Sequence, residues 1–118
     1  MRWSYRVRGA HTFSLLFSRG MRINSPFFTL LALRNQKGHV RLAMVVSKKV
    51  SRRAHVRNRL RRRAREWMRT NLPLDTISYD VVLVYKKECT SISRLAFYDA
   101  VADIFNRFRA RISSDPSS

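Results

Sequence analysis

The segment from Arg52 to Arg69, RRAHVRNRLRRRAREWMR, constrains the fold more than any other stretch of the chain. Nine of its residues are arginine, and Glu66 is its only acid. Its apolar residues share one stripe of an α-helix, because they recur at helical spacing. They are Val56, Leu60, Ala64, Trp67 and Met68. The pattern predicts a helix over about Ala54–Asn71 that packs on a core by this stripe and carries arginine elsewhere.

The charge of this helix cannot be neutralised within the chain. Lysine and arginine number 25 against 7 acids, and the formal net charge is +18. Like charges four residues apart, such as Arg57 and Arg61, destabilise a free helix by roughly 0.2–0.5 kcal/mol per pair. A bound polyanion relieves that repulsion, and the planar guanidinium grips phosphates in pairs. A solvated charged face is the plainer interpretation, and a membrane surface needs a wider apolar face. The pattern favours nucleic acid.

The chain before this segment predicts a short helix and a connection. Residues 11–19 have apolar side chains on one face, with Thr12 as a candidate cap. Gly20 follows, where a left-handed turn would end the helix. Residues 21–26 are expected to form a connection that contains a short strand.

Two apolar strands are expected next, over residues 27–34 and 40–47. Asn35–Gly38 lies between them and has the composition of a turn. These two strands are therefore predicted to pair as an antiparallel hairpin.

A third strand and a last helix complete the predicted fold. Tyr79–Tyr85 is almost continuously apolar, which is typical of a central parallel strand buried on both faces. Pro73 prevents continuation of the arginine-rich helix, and residues 93–112 keep the helical period. The order helix, hairpin, helix, strand, helix predicts an α+β fold, a small two-layer α/β sandwich with a mixed sheet of about four strands.

Length and composition predict one domain in a reducing compartment. The 118 residues suit a single core over residues 1–112, with an irregular basic arm at 1–10 and a disordered tail at 113–118. A hydrophobic fraction of 45% argues against a disordered basic chain. Cys89 is the only cysteine, and no apolar run reaches the roughly 18 residues of a membrane span. We expect a cytoplasmic protein.

Candidate catalytic groups are few. The three histidines and Cys89 lack zinc-site spacing, so no protein-held metal is predicted. Asp99 and Asp103 are four residues apart and could share a proton or a metal, but Arg107 offers Asp103 an ordinary surface pair. No serine triad, nucleophile elbow or glycine-rich phosphate loop is present. We therefore predict no catalytic residue.

Two further groups of residues qualify as binding candidates. Lys48, Lys49, Arg52 and Arg53 extend the basic surface into the loop before the helix. Phe13, Phe17 and Phe27 are either core residues or a platform on which single-stranded bases stack. Asn58, set among arginines, could contact a base edge or a 2′-hydroxyl, or fix its neighbours.

Residues Ser47–Glu66, SKKVSRRAHVRNRLRRRARE, resemble the signature of the bacterial ribonuclease P protein subunit. The matching positions are Arg57, Asn58 and Arg59 for its R-N-R motif, Arg61 and Arg62 for its basic pair, and Arg65 for its trailing arginine. The resemblance covers about residues 11–110. It includes an F-x-x-x-F helix followed by Gly20, and it departs from the family at Ser51, where glycine is usual, and at Leu31, where an aromatic residue is frequent.

The resemblance implies a non-catalytic RNA-binding subunit. In that family the RNA subunit removes the 5′ leader of precursor tRNA, with Mg²⁺ held by the RNA and substrate. The residues implied to bind that RNA are Lys48, Lys49, Arg52, Arg53, Arg57, Asn58, Arg59, Arg61, Arg62 and Arg65. The residues implied to line a leader-binding cleft are Phe13, Phe17, Phe27, Thr29 and Ser47. A left-handed crossover through the arginine-rich helix is also implied, with no obligate protein partner. A ribosomal-type protein or a general RNA chaperone is the alternative.

Overall fold

The computed structural model describes residues 10–72 and 76–113. Its elements are α1 (Ala10–Arg19), β1 (Met21–Asn24), β2 (Phe28–Arg34), β3 (Arg41–Val45), α2 (Ala54–Asn71), β4 (Tyr79–Tyr85), a 3₁₀ helix (Lys87–Ser91) and α3 (Arg94–Ser113). Within the described ranges, no helix is long and apolar enough to cross a membrane. The predicted arm before residue 10, the tail after Ser113 and Pro73 lie outside the described residues.

The four strands form one mixed sheet in the order β1-β2-β4-β3. Strand β4 pairs antiparallel with β2 and parallel with β3. The predicted hairpin between β2 and β3 is therefore wrong, because β4 lies between them. A strand that is apolar on both faces buries most surface in the interior of the sheet. The observed hairpin joins β1 to β2, where the Ser25 N–H donates to the Phe28 carbonyl at 2.9 Å.

The two faces of the sheet are covered unequally. Helices α2 and α3 pack on one face and enclose the main core, in which Phe28, Phe97, Phe105 and Phe108 are almost fully buried. Helix α1 lies on the other face, where a second cluster consists of Leu16, Leu31 and Val82. The side chains around this second cluster are only partly buried, so that part of this face stays accessible.

The ends of the helices correct two predictions. Helix α1 begins at Ala10, so Thr12 lies inside it and is not the cap. Gly20 does not adopt a positive φ, so the predicted left-handed turn is wrong. Glycine is needed there for another reason, since a Cβ atom would overlap the Leu16 carbonyl oxygen. The Ser93 hydroxyl accepts a hydrogen bond from the Ala96 N–H at 3.1 Å and caps α3.

One partly buried ion pair joins the beginnings of β3 and β4. Arg41 and Asp80 face each other in the parallel ladder, and Arg41 donates to both Asp80 oxygens, at 2.7 Å from Nε and 2.6 Å from Nη2. Asn35 donates to the same carboxylate at 2.8 Å. The hydrogen bonds to Asp80 raise the pKa of Arg41 further above its usual range. The left-handed sense of the α2 crossover, which connects these two strands, stays a prediction.

Candidate nucleic-acid interface

Helix α2 is fixed on the main core by the stripe that its sequence predicts. Leu60, Ala64 and Met68 are buried, and Trp67 stacks on Phe105 with ring centroids 5.8 Å apart. The buried hydroxyl of Tyr85 on β4 donates to the Leu60 carbonyl at 2.9 Å. The apolar contacts and this hydrogen bond hold one side of the helix on the core, and its arginines lie on the remaining surface.

The predicted RNA-binding arginines differ in exposure. Arg52, Arg53, Arg59 and Arg62 are exposed, whereas Arg57, Arg61 and Arg65 are partly buried. Ion pairs within the described residues join Arg41 to Asp80 and Arg107 to Asp103. Neither pair involves α2, and its exposed Arg59 and Arg62 form no ion pair with a described residue. Such a surface attracts a polyanion.

The R-N-R residues have distinct local roles. Arg57 donates from Nη1 to the Ser51 carbonyl at 2.9 Å and so ties the helix to the preceding loop. Asn58 accepts a hydrogen bond on Oδ1 from Arg61 Nη1, also at 2.9 Å. Of the alternatives for Asn58, the structure provides the one in which it fixes a neighbouring arginine. Arg59 projects into solvent beside them.

A basic concavity of about 880 Å³ lies where β3 and β4 end. Its lining residues are Lys48, Lys49, Val50, Ser51, Arg52 and Lys87. Lys87 was missed by the sequence analysis, because only the parallel pairing of β3 and β4 brings the two following loops to the same edge. Ser51 fits this loop without glycine, since among the described residues only Gly38 has a positive φ.

The second cluster forms the floor of the predicted leader cleft. Phe13 packs against it and is partly buried, while Leu31 lies in the floor and is buried. Phe17, one turn after Phe13 on α1, is 52% exposed. A large aromatic ring exposed beside a partly open apolar face is suited to stacking on an unpaired base.

The other predicted cleft residues are placed differently. Thr29 is buried, and its hydroxyl donates to Asn24 Oδ1 at 2.8 Å. Phe27 packs against the main core and is absent from the second cluster. Ser47 is exposed just after β3. Asn24 is the exposed polar residue next to Thr29, and sequence alternation along a β1-β2 hairpin would have indicated it.

The candidate catalytic carboxylates sit on the surface. Asp103 pairs with Arg107 at 3.5 Å, and both side chains are largely exposed. Within residues 10–72 and 76–113, no three potential ligands among His, Cys, Asp and Glu converge on a metal position. The described chain therefore presents basic surface and an apolar cleft as its binding features.

Comparison with known proteins agrees with these features. The family model for Ribonuclease P matches residues 1–109. The chain belongs to the ribonuclease P protein family. The ribonuclease P protein component of Histophilus somni is 33% identical over 95 residues, which cover 80% of this chain and 79% of that protein. The component of Yersinia enterocolitica is 35% identical over 98 residues, with the same coverage.

Solved structures of ribonuclease P proteins share the fold. The protein from Thermotoga maritima superposes with a TM-score of 0.74 at 26% identity, covering 86% of this chain and 96% of that one. The Staphylococcus aureus protein gives a TM-score of 0.76 at 21% identity, covering 86% and 93%. The mixed four-stranded sheet with three helices is thus the architecture of the ribonuclease P protein family.

Proposed function

We propose that this chain is the RNA-binding protein subunit of ribonuclease P and assists a catalytic RNA in removing the 5′ leader of precursor tRNA. The observation that carries the proposal is the surface of α2, where exposed arginines such as Arg59 and Arg62 have no ion-pair partner among the described residues. A ribonuclease P RNA would supply the missing negative charge. Hydrolysis would belong to that RNA, with Mg²⁺ held by the RNA and the substrate.

The contribution of α2 to binding is electrostatic. Each phosphate neutralised by an arginine releases condensed counterions, so affinity falls as salt rises, with a slope of about 0.7–0.9 per phosphate. Helix α2 enters this interaction pre-positioned, since its buried stripe and the Tyr85 hydrogen bond fix it before the RNA binds. The loop at Lys48 and Lys49 extends the same field toward the edge of the sheet.

The contribution of the cleft is positional. The Phe17 ring would stack on a base of the single-stranded leader, above the apolar floor around Leu31 and Val82. Asn24, at the rim, can hydrogen-bond a base edge or a sugar hydroxyl. The leader would lie on one face of the sheet, and α2, which packs on the opposite face, would hold the catalytic RNA. The protein would thereby fix the position of the scissile bond relative to that RNA.

Reconstitution tests the proposal. The chain is mixed with ribonuclease P RNA and precursor tRNA at low Mg²⁺, where the RNA alone cleaves slowly. We expect leader removal to rise at least tenfold, with no cleavage by the protein alone. An equal gain for an unrelated ribozyme would identify a general RNA chaperone. Cleavage of precursor tRNA without the RNA subunit would place the active site on the protein.

The cleft has its own variant. Phe17→Ala removes one stacking surface, worth about 1–3 kcal/mol per base, and should weaken binding of precursor tRNA to the holoenzyme by about tenfold. Binding of mature tRNA, which has no leader, should not change. Leu95→Ala is the matched control, because Leu95 is the other large hydrophobic side chain exposed in the described part of the chain, at 78%. Equal effects of the two substitutions would argue against stacking by Phe17.

A further inference from the structure

A small basic groove lies between α2 and the beginning of α3. Its volume is about 200 Å³, and it is lined by Arg59, Arg62, Arg63, Glu66, Arg94 and Tyr98. Enclosed small-molecule pockets usually measure roughly 300–1,000 Å³, so this groove suits a polymer that crosses it rather than an enclosed ligand. Arg63, Arg94 and Tyr98 are outside the set of residues that the R-N-R signature indicates.

The charges in the groove are unbalanced. Four guanidinium groups face one carboxylate, that of Glu66. Glu66 forms no ion pair with a described residue, although Arg62 and Arg63 precede it by one helical turn. The groove therefore carries an excess of positive charge that no ion pair among the described residues neutralises.

Aromatic rings hold two of the guanidinium groups. The Arg63 guanidinium carbon is 6.0 Å from the centroid of the Phe97 ring, which is fully buried. The Arg94 guanidinium carbon is 5.8 Å from the centroid of Tyr98. A guanidinium placed against an aromatic ring is attracted to its π-face and keeps its N–H groups for another acceptor. The planar guanidinium group can donate two parallel hydrogen bonds to the oxygens of one phosphate.

We propose that this groove is a second RNA-backbone site, in which Arg94 and Arg63 bind phosphate and Tyr98 positions Arg94. It rests on the proposed function and extends it, because the RNA would contact α3 as well as α2. The ligand is a phosphodiester backbone of ribonuclease P RNA that passes from the exposed arginines of α2 across the start of α3.

The first test is the salt dependence of RNA binding by Arg94→Gln. The dissociation constant of the full chain for ribonuclease P RNA is measured at several salt concentrations. Loss of one phosphate contact should lower the slope by about 0.7–0.9 and weaken binding about five- to eightfold at 0.1 M salt. Arg107→Gln is the matched control, since Arg107 lies on the same helix about 20 Å away. The control should change affinity less than twofold and leave the slope unchanged.

A second pair of variants raises the net charge equally at two places. Glu66→Gln removes the acid of the groove and should strengthen RNA binding about two- to fivefold, because the repulsion of phosphate by this carboxylate is lost. Asp103→Asn adds the same net charge on the far part of α3 and should change affinity less than twofold. Glu66 is exposed and forms no ion pair with a described residue, so Glu66→Gln should not disturb folding. This comparison therefore still tests the groove if Arg94→Gln fails to fold.

Tyr98→Leu separates positioning from charge. Without the ring, Arg94 keeps its charge but loses its support, so affinity should fall about two- to fivefold with an unchanged salt slope. A chain that binds the RNA and stimulates leader removal, yet shows equal effects for Arg94→Gln and Arg107→Gln, would refute the groove and leave the proposed function intact. A wild-type chain that does not bind ribonuclease P RNA would refute both.

Discussion

Arg41 and the exposed arginines of α2 carry the same guanidinium group in opposite surroundings. Arg41 donates two hydrogen bonds to Asp80, whose side chain is 7% exposed, across the parallel strands β3 and β4. Arg59 and Arg62 point into solvent and pair with no carboxylate in the described part of the chain. The first arrangement fixes how two strands meet, and the second leaves charge for a partner.

The difference lies in where the few acids are placed. Asp80 is the buried acid among the described residues, and it faces the one arginine of β3. Glu66, the only acid of α2, forms no ion pair with a described residue. The buried acid of this basic protein therefore pairs with an arginine inside the fold, whereas the exposed Arg59 and Arg62 of α2 have no carboxylate partner among the described residues. The predictions below test the two halves of this contrast.

The largest effect on stability is expected at the Arg41–Asp80 pair. Asp80→Asn leaves the partly buried Arg41 without its counter-charge and weakens its two charged hydrogen bonds, which should lower the free energy of unfolding by about 2 kcal/mol. Urea denaturation measures it. Asp103→Asn, in an exposed pair with Arg107, is the matched control and should cost less than about 1 kcal/mol. Similar losses for both variants would contradict the structural role of Arg41.

The opposite behaviour is expected of an exposed arginine on α2. Arg62→Ala should leave the free energy of unfolding within about 0.5 kcal/mol of the wild type. It should weaken binding to ribonuclease P RNA about five- to eightfold at 0.1 M salt, because the salt slope falls by one phosphate contact. Arg59→Ala should behave alike. An unchanged slope would remove these residues from the RNA interface.

Alkaline pH should lower the free energy of unfolding through the buried thiol of Cys89, while the arginines stay charged. Burial, with a smaller effect of Glu88, raises the pKa of Cys89 from 9.0 to about 11. The unfolded thiol then loses its proton at lower pH than the folded one, so stability is complete below pH 9 and falls as pH rises toward 11. The loss between pH 9 and 10 should be about 1 kcal/mol by proton linkage. Cys89→Ala should flatten this part of the pH profile, while an unchanged profile would assign the loss to another group.

The smallest effect is expected where α2 meets β4. Tyr85→Phe removes the hydroxyl that donates to the Leu60 carbonyl. That carbonyl still lies in the helical ladder, so the loss should be about 0.5 kcal/mol, the lower end for a single hydrogen bond. The salt slope of RNA binding should stay the same. A reduced salt slope would mean that the Tyr85 hydrogen bond sets the position of the α2 arginines. Core packing and RNA binding would then depend on each other.

Local patterns predicted the elements well and their pairing poorly. The spacing of Leu60, Ala64 and Met68 gave the bounds of α2, and the apolar run 79–85 gave β4. The hairpin prediction failed because the turn at Asn35–Gly38 looks the same whether its strands pair with each other or with a third strand. Pairing across β4 depends on residues far apart in sequence, which no local period encodes.

The candidate site divides in the same way. The basic surface of α2 could be predicted, because charge and helical period lie in one segment. The contributions of Lys87 and Arg94 could not, since each comes from another element and reaches its position only through the tertiary fold. The family resemblance implied that Phe27 and Thr29 line the cleft, yet the first packs on the main core and the second is buried against Asn24.

Strand β4 is the last of the described strands in sequence and an interior one in the sheet. During synthesis, β2 and β3 therefore leave the ribosome before the strand that joins them, and each exposes an unpaired edge until residue 85 has emerged. Helix α2 likewise emerges before the floor on which its apolar stripe rests. The order of elements thus delays assembly of the sheet until about three quarters of the chain exists, and long-range pairing of this kind slows folding.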